Sequence, residues 1–312
     1  MTLTRHKIRG SDFLSLAPLE GPELEDLLEE AMRLKHEGLK GIKPLGGKVI
    51  GLLFEKPSTR TRVSFEVAIV RLGGHPVPMG ASESQLDRGE TIEDTGRVLS
   101  RYLDGLVVRT FGQDRLEALA AAADVPVINA LTDQSHPCQA LADMLTILEY
   151  KGFIAGVALA YVGDGNNVAN SLMRAGTKLG MDVRVATPPE HRPMAGIVDE
   201  CEAYAGRYGG TLKIVEDPME AAKGADVIYT DVWVSMGGEG GKPVSPDEFV
   251  PYRVDSELVS LAGDDVMVMH CLPAHRGMEI TDDVLDGPHS AVWDQAENRL
   301  HAQVALLAGI YG

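Results

Sequence analysis

KVIGLLFEKPSTRTR, residues 48–62, is the stretch that decides the fold. Residues 48–54 form a short, mainly apolar run, a proline turn follows, and residues 63–72 continue with helical spacing. A strand that feeds straight into a helix is the repeating unit of a parallel sheet with crossover helices. Outward from it the alternation recurs. Strand-like runs occupy residues 75–80, 106–108 and 125–130, with helical patterns at 90–102 and 115–123, and a helix beginning near His136 closes this half around Tyr150. The pattern restarts at 157–162. It runs through helices at 167–179 and 195–208 and strands at 182–186, 212–215, 227–231 and 266–270. Ahead of both series, residues 23–38 predict an amphipathic helix with Leu24, Leu27, Leu28 and Ala31 on one side; its acidic start and Lys35 suit the helix dipole. The expectation is an α/β chain of two domains, residues 1–150 and 151–312, each a parallel β-sheet flanked by helices.

Composition bounds what such a chain can do. With 312 residues, 44% apolar and 24% charged, it is long enough for two folded domains and too apolar for disorder. Aromatic residues supply only 5%, so Leu, Val, Ile and Ala must fill the cores. The formal charge of −17 argues against nucleic acid as a partner, because phosphate backbones are bound by basic surfaces. A small anionic substrate stays open, but its site has to be built locally from clustered arginines and helix N-termini, against the field of the whole protein. No run approaches the roughly 18–20 apolar residues that span a bilayer. The first residues carry Arg5, Lys7, Arg9 and Asp12 with no apolar stretch behind them, so a cytoplasmic location is expected. Cys138, Cys201 and Cys271 are odd in number and widely spaced, and offer neither a disulfide framework nor a metal spacing.

In parallel α/β sheets, ligands sit where strands end and helices begin, and the motifs fall there. Ser58-Thr59-Arg60-Thr61-Arg62 opens a helix, where free N–H groups, hydroxyls and guanidinium donors converge as a phosphate site requires; the plain alternative is a Ser N-cap with solvated arginines. His136-Pro137-Cys138-Gln139 follows a strand and, taken alone, reads as a helix cap. Gly163-Asp164-Gly165-Asn166-Asn167 superficially invites a dinucleotide. The third glycine is replaced by Val168 or Ala169 and no acid ends the next strand at Ala186-Thr187, so that reading fails. Asp231-Val232-Trp233-Val234-Ser235-Met236-Gly237 and His270-Cys271-Leu272-Pro273 each follow a strand. A thiol beside His270 also suggests a cysteine nucleophile.

In this order the motifs resemble the aspartate/ornithine carbamoyltransferase superfamily, its ornithine branch above the others, over essentially the whole chain. The resemblance implies that Ser58, Thr59, Arg60, Thr61, Arg109 and Arg299 hold the phosphate of carbamoyl phosphate, with His136 and Gln139 at its carbamoyl group. Cys271 and Leu272 are implied as further contacts, and Gln85 as one that crosses a trimer interface from the next subunit. Asn167, Asp231, Ser235 and Met236 are implied to bind ornithine; Cys271, Asp231, Arg109 and His136 form the implied catalytic set, with Cys271 and Asp231 around the substrate amine. Arg299 lies in a last helix, about residues 295–310, implied to return to the first domain, while Cys138 is the variable position and takes no role. No metal or organic cofactor is expected, because the leaving group is already good. The implied partners are the two small substrates and further copies of the chain in a homotrimer or a multiple of it. Residues 238–243 depart from the pattern, being glycine-rich where many members carry charge. Two rivals stand beside this reading. One is a carbamoyltransferase acting on putrescine or acetylornithine, against which Ser235-Met236-Gly237 and His270-Cys271 speak. The other is a non-catalytic nucleotide- or amino-acid-binding protein of the same fold, against which the intact Arg60, Arg109, His136 and Arg299 speak.

Overall fold

The computed structural model describes residues 8–80, 89–233 and 246–312. Nine strands form among them, where the apolar runs placed them: β1 Val49–Phe54, β2 His75–Gly80, β3 Gly105–Arg109, β4 Val127–Leu131, β5 Ala158–Val162, β6 Asp182–Ala186, β7 Thr211–Val215, β8 Val227–Thr230 and β9 Met267–His270. They make two sheets, ordered β2-β1-β3-β4 and β7-β6-β5-β8-β9, and every pairing is parallel. All five residues of β5 are buried. A parallel strand covered on both faces reads as a continuous apolar run, which is why periodicity of two is absent there. Gly51 sits in the centre of β1 because a Cβ there would come within 2.6 Å of Leu103 and 2.8 Å of Met79.

The helices are α1 Gly21–Glu37, α2 Thr59–Arg71, α3 Ile92–Leu99, α4 Gln113–Ala122, α5 Pro137–Lys151, α6 Asn167–Lys178, α7 Ala195–Tyr208, α8 Pro218–Ala222, α9 Pro246–Phe249, α10 Ser256–Val259, α11 Asp282–Leu285 and α12 Val292–Tyr311. The expected face of α1 is buried at Leu24, Leu27, Leu28 and Ala31, and its start is tied by the Glu20 N–H donating to Glu23 Oε2 at 2.9 Å. Among the described residues no helix is long and apolar enough to cross a membrane.

The chain divides into two compact units, Met1–Leu141 with Arg299–Gly312, and Ala142–Asn298. The divisions fall inside α5 and α12. In the first unit Leu53, Leu106, Val108, Leu116 and Leu119 form an aliphatic core, and the end of α12 is fastened by the Gly10 N–H donating to Ile310 O at 2.9 Å. In the second, Ala160, Val162, Ile228, Val268 and Val292 do the same. Each sheet has one switch point, where the strand order reverses: between β1 and β3 in the first, and between β5 and β8 in the second. Crevices at the C-terminal ends of such strands are where α/β sheets bind ligands.

Candidate active site

In the first unit the site grows from the β1/β3 switch point. Beyond Phe54 the chain turns into α2, whose N-cap is Ser58 in extended conformation. The first N–H groups of a helix lack intrahelical partners and favour an anion. Thr59 and Arg60 are exposed in that turn, while Thr61 is buried. Arg299, 238 residues further on, is buried and donates through Nη2 to Thr61 Oγ1. Arg109 ends β3 at the same switch point. His136 and Gln139 are buried at the start of α5. Burial first, then the positive charges of Arg299, Arg109 and Arg60, push His136 well below the usual imidazole range. Burial and the three guanidinium charges thus all favour the neutral imidazole. Cys138 is inert: its Sγ donates to Asn129 O at 3.4 Å, and burial pushes its thiol up to about 12.

Two ties around this site were not legible beforehand. Lys56 Nζ donates to Asp133 Oδ1 at 2.9 Å and lies 4.2 Å from the Phe111 ring centroid. Glu55 accepts from Arg115 Nη2 at 2.6 Å and from Thr110 Oγ1. Together they join the segments that follow β1, β3 and β4. Their partners are 77 and 60 residues apart, so no local pattern announces them.

In the second unit the residues gather at the β5/β8 switch point. Asp231 follows β8 and is buried, and Cys271 follows β9 with its Sγ donating to Asp231 Oδ1 at 2.8 Å. The other carboxylate oxygen accepts from Asn166 Nδ2 at 3.0 Å. Asn166 is also the N-cap of α6, its Oδ1 accepting from the Val168 N–H at 2.9 Å. The capping residue, which sequence reasoning passed over, thus touches the acid, whereas Asn167 is the first residue of α6 and is buried. Gly165 lets this turn pass close to its neighbour, since a Cβ there would lie 2.3 Å from Pro193 N. Burial, with Asp231 adding to it and His191 opposing, pushes the Asp164 carboxyl up to about 6.

Asp231, His270 and Cys271 bring possible ligand atoms within 4.8 Å of one another. His270 accepts from the Leu272 N–H at Nδ1 (2.8 Å) and meets Glu279 at Nε2 (3.2 Å), so its imidazole has no lone pair left for an ion. Gln85, Ser235, Met236 and the glycine-rich 238–243 segment lie outside the described residues.

Fold and site together define a two-unit parallel α/β protein with an arginine-lined anion site in one unit and a carboxylate–thiol site in the other. Residues 11–149 match the family described as aspartate/ornithine carbamoyltransferase, carbamoyl-P binding domain, and residues 155–310 match its Asp/Orn binding domain. The ornithine carbamoyltransferase of Pyrococcus abyssi is 54% identical over 308 residues, 98% of this chain and 97% of that protein. The relative from Parafrankia, of the same name, is 53% identical over 304 residues, 97% of this chain and 95% of that protein. The solved ornithine carbamoyltransferase from Pyrococcus furiosus superposes with a TM-score of 0.93 at 53% identity, covering 98% of each chain. The chain belongs to the aspartate/ornithine carbamoyltransferase family.

Proposed function

We propose that this carbamoyltransferase moves the carbamoyl group of carbamoyl phosphate to the δ-amine of L-ornithine, giving L-citrulline and phosphate. The observation that carries the reading is the neutral His136 among Arg60, Arg109 and Arg299. Cations there stabilise the phosphate as it leaves, and a neutral imidazole donates to the carbonyl oxygen as charge develops on it. Ser58, Thr59 and Thr61 supply hydroxyl and backbone donors to the phosphate, and Gln139 serves the carbamoyl amide.

In the reaction the C–N bond forms, the C–O bond to phosphate breaks, and the leaving oxygen keeps the electron pair. The acceptor ammonium must shed one proton before attack, and the second passes from the attacking nitrogen to the departing phosphate. An alkyl ammonium with a pKa of about 10.4 is neutral in roughly one molecule in 2,500 at pH 7, a penalty of about 4.6 kcal/mol. Asp231 and Cys271 orient this amine, with Asn167, Ser235 and Met236 holding the amino-acid end and Leu272 contributing beside the carbamoyl group. The ornithine-named relatives, similar over nearly their whole length, support ornithine over putrescine or acetylornithine as acceptor. Arginine metabolism in the cytoplasm is the setting, and a homotrimer the assembly, with Gln85 of each chain serving carbamoyl phosphate bound by the next.

A colorimetric citrulline assay, run in parallel with putrescine as acceptor, tests the reading. Ornithine is expected to react at least about 100-fold faster, because an acceptor without the α-carboxylate leaves buried donors unpaired. Equal rates move the chain to the putrescine class, and no product from either acceptor makes it a binding protein.

A further inference from the structure

Cys271 is aimed by a backbone turn that needs holding. Leu272, the next residue, has φ +57°, a left-handed conformation that is uncommon away from glycine and persists when surrounding contacts over-determine it. The Leu272 N–H donates to His270 Nδ1 at 2.8 Å. A backbone N–H can only donate, so Nδ1 carries no proton and the ring hydrogen sits on Nε2. That nitrogen lies 3.2 Å from Glu279 Oε1, and both side chains are wholly buried. The same oxygen accepts from the His275 N–H, and the His270 side-chain bond is among the contacts that hold the Glu279 carboxyl below the usual carboxylate range despite burial. The His270 backbone is pinned as well, its N–H donating to Gln295 Oε1 at 2.9 Å. Gln295 in turn donates to Asp143 Oδ1 at 2.7 Å.

We propose that Glu279 is a positioning residue for carbamoyl transfer: through His270 it selects the Nε2–H tautomer, which holds the Leu272 turn and thereby keeps Cys271 Sγ on Asp231. The chain of contacts is Glu279, His270, Leu272 N–H and Cys271, and only its last member, with Asp231, faces the acceptor amine. A carboxylate behind a histidine that serves another group is the arrangement that orients imidazoles in triads and behind metal ions. Here the imidazole serves a backbone amide. The proposal rests on the acceptor-site reading above, and its test has readouts that do not depend on activity.

The first readout is the ¹⁵N spectrum of His270 in the intact wild-type protein. The Nε2–H tautomer is expected at pH 7, and an imidazolium or an Nδ1–H tautomer overturns the proposal. The second is a pair of variants. Glu279→Gln keeps an acceptor oxygen in place and loses the charge, and should stay within about threefold of wild type in kcat. Glu279→Asp keeps the charge and withdraws the oxygen. It should lower kcat/KM for ornithine at least about tenfold, with KM for carbamoyl phosphate within about twofold. Alkylation by iodoacetamide reads the thiol directly, since Cys271 is the half-buried cysteine while Cys138 and Cys201 are buried with thiols pushed up to about 12. Loosening Cys271 from Asp231 removes the hydrogen bond that favours its protonated thiol and uncovers the sulfur, so Glu279→Asp should be alkylated at least about threefold faster. Unchanged kinetics and alkylation in a folded Glu279→Asp, or equal loss in both variants, overturns the proposal. If either variant fails to fold, the wild-type tautomer decides. A wild type that makes no citrulline yet shows the Nε2–H tautomer sinks the function reading and leaves the contact chain intact.

Discussion

The two units use one topology with opposite charge. Both are parallel sheets with a single switch point, and in both the polar residues include ones that follow the strands beside it. In the first, burial and then the charges of Arg299, Arg109 and Arg60 depress His136. In the second, the carboxylates of Asp164 and Asp231 lie close enough that Asp231 helps to raise Asp164 to about 6. The first suits a phosphate, the second an ammonium. On a chain of net charge −17 the cationic site is the exception. It is assembled from four distant segments, the start of α2, the end of β3, the start of α5 and the first half of α12. The acidic site goes with the overall field and needs only Asp231 and its neighbours.

The sharpest way to break this division is Arg60→Ala. Loss of a cation whose contact tightens in the transition state should lower kcat/KM for carbamoyl phosphate at least about 100-fold. A variant keeping more than about a tenth of wild-type kcat/KM would remove the α2 N-terminus from the site. Asp231→Asn is the counterpart in the second unit. It is isosteric but removes the charge and one of the two acceptor oxygens that Cys271 and Asn166 use, and should lower kcat/KM for ornithine by about 30-fold while KM for carbamoyl phosphate moves less than about twofold. A loss that falls instead on carbamoyl phosphate contradicts the division.

Acidification separates the units in sign. The depressed His136 is neutral when folded but takes up a proton below about 6.5 when unfolded, so its contribution to stability is full above that pH and is lost as pH falls. Asp164 behaves oppositely: its folded carboxyl takes up a proton near pH 6, before the unfolded one does, and it therefore adds stability as pH falls from about 6 towards 4. His136→Gln should accordingly flatten the fall in melting temperature between pH 8 and pH 5 by about 2–4 °C. An unchanged pH dependence means that His136 is not held neutral by its surroundings.

Much of this was legible in the sequence, for definite reasons. Strands buried on both faces, such as β3, β5, β8 and β9, announce themselves as apolar runs, and β1 to β9 all fall within a residue or two of expectation. Helices α8 to α11 were missed because, at four or five residues, they are too short to show a helical period. Arg60 was legible because a cluster of cations is conspicuous in an acidic chain where a strand meets a helix, whereas Arg109 and Arg299 were singled out only by the family resemblance. The ties that support both sites were not. Lys56 with Asp133, Asn166 with Asp231 and Glu279 with His270 pair residues that only the fold brings together, and Glu279 lies in a stretch with no motif of its own.

The division of labour by charge is tested most directly by the affinity of inorganic phosphate, measured calorimetrically on wild type, Arg60→Ala and Asp231→Asn at one ionic strength. Arg60→Ala should weaken phosphate at least about tenfold, corresponding to one lost charge-assisted contact of about 1.4 kcal/mol or more. Asp231→Asn should leave it within about twofold. Equal weakening in both variants, or none in Arg60→Ala, would contradict the account.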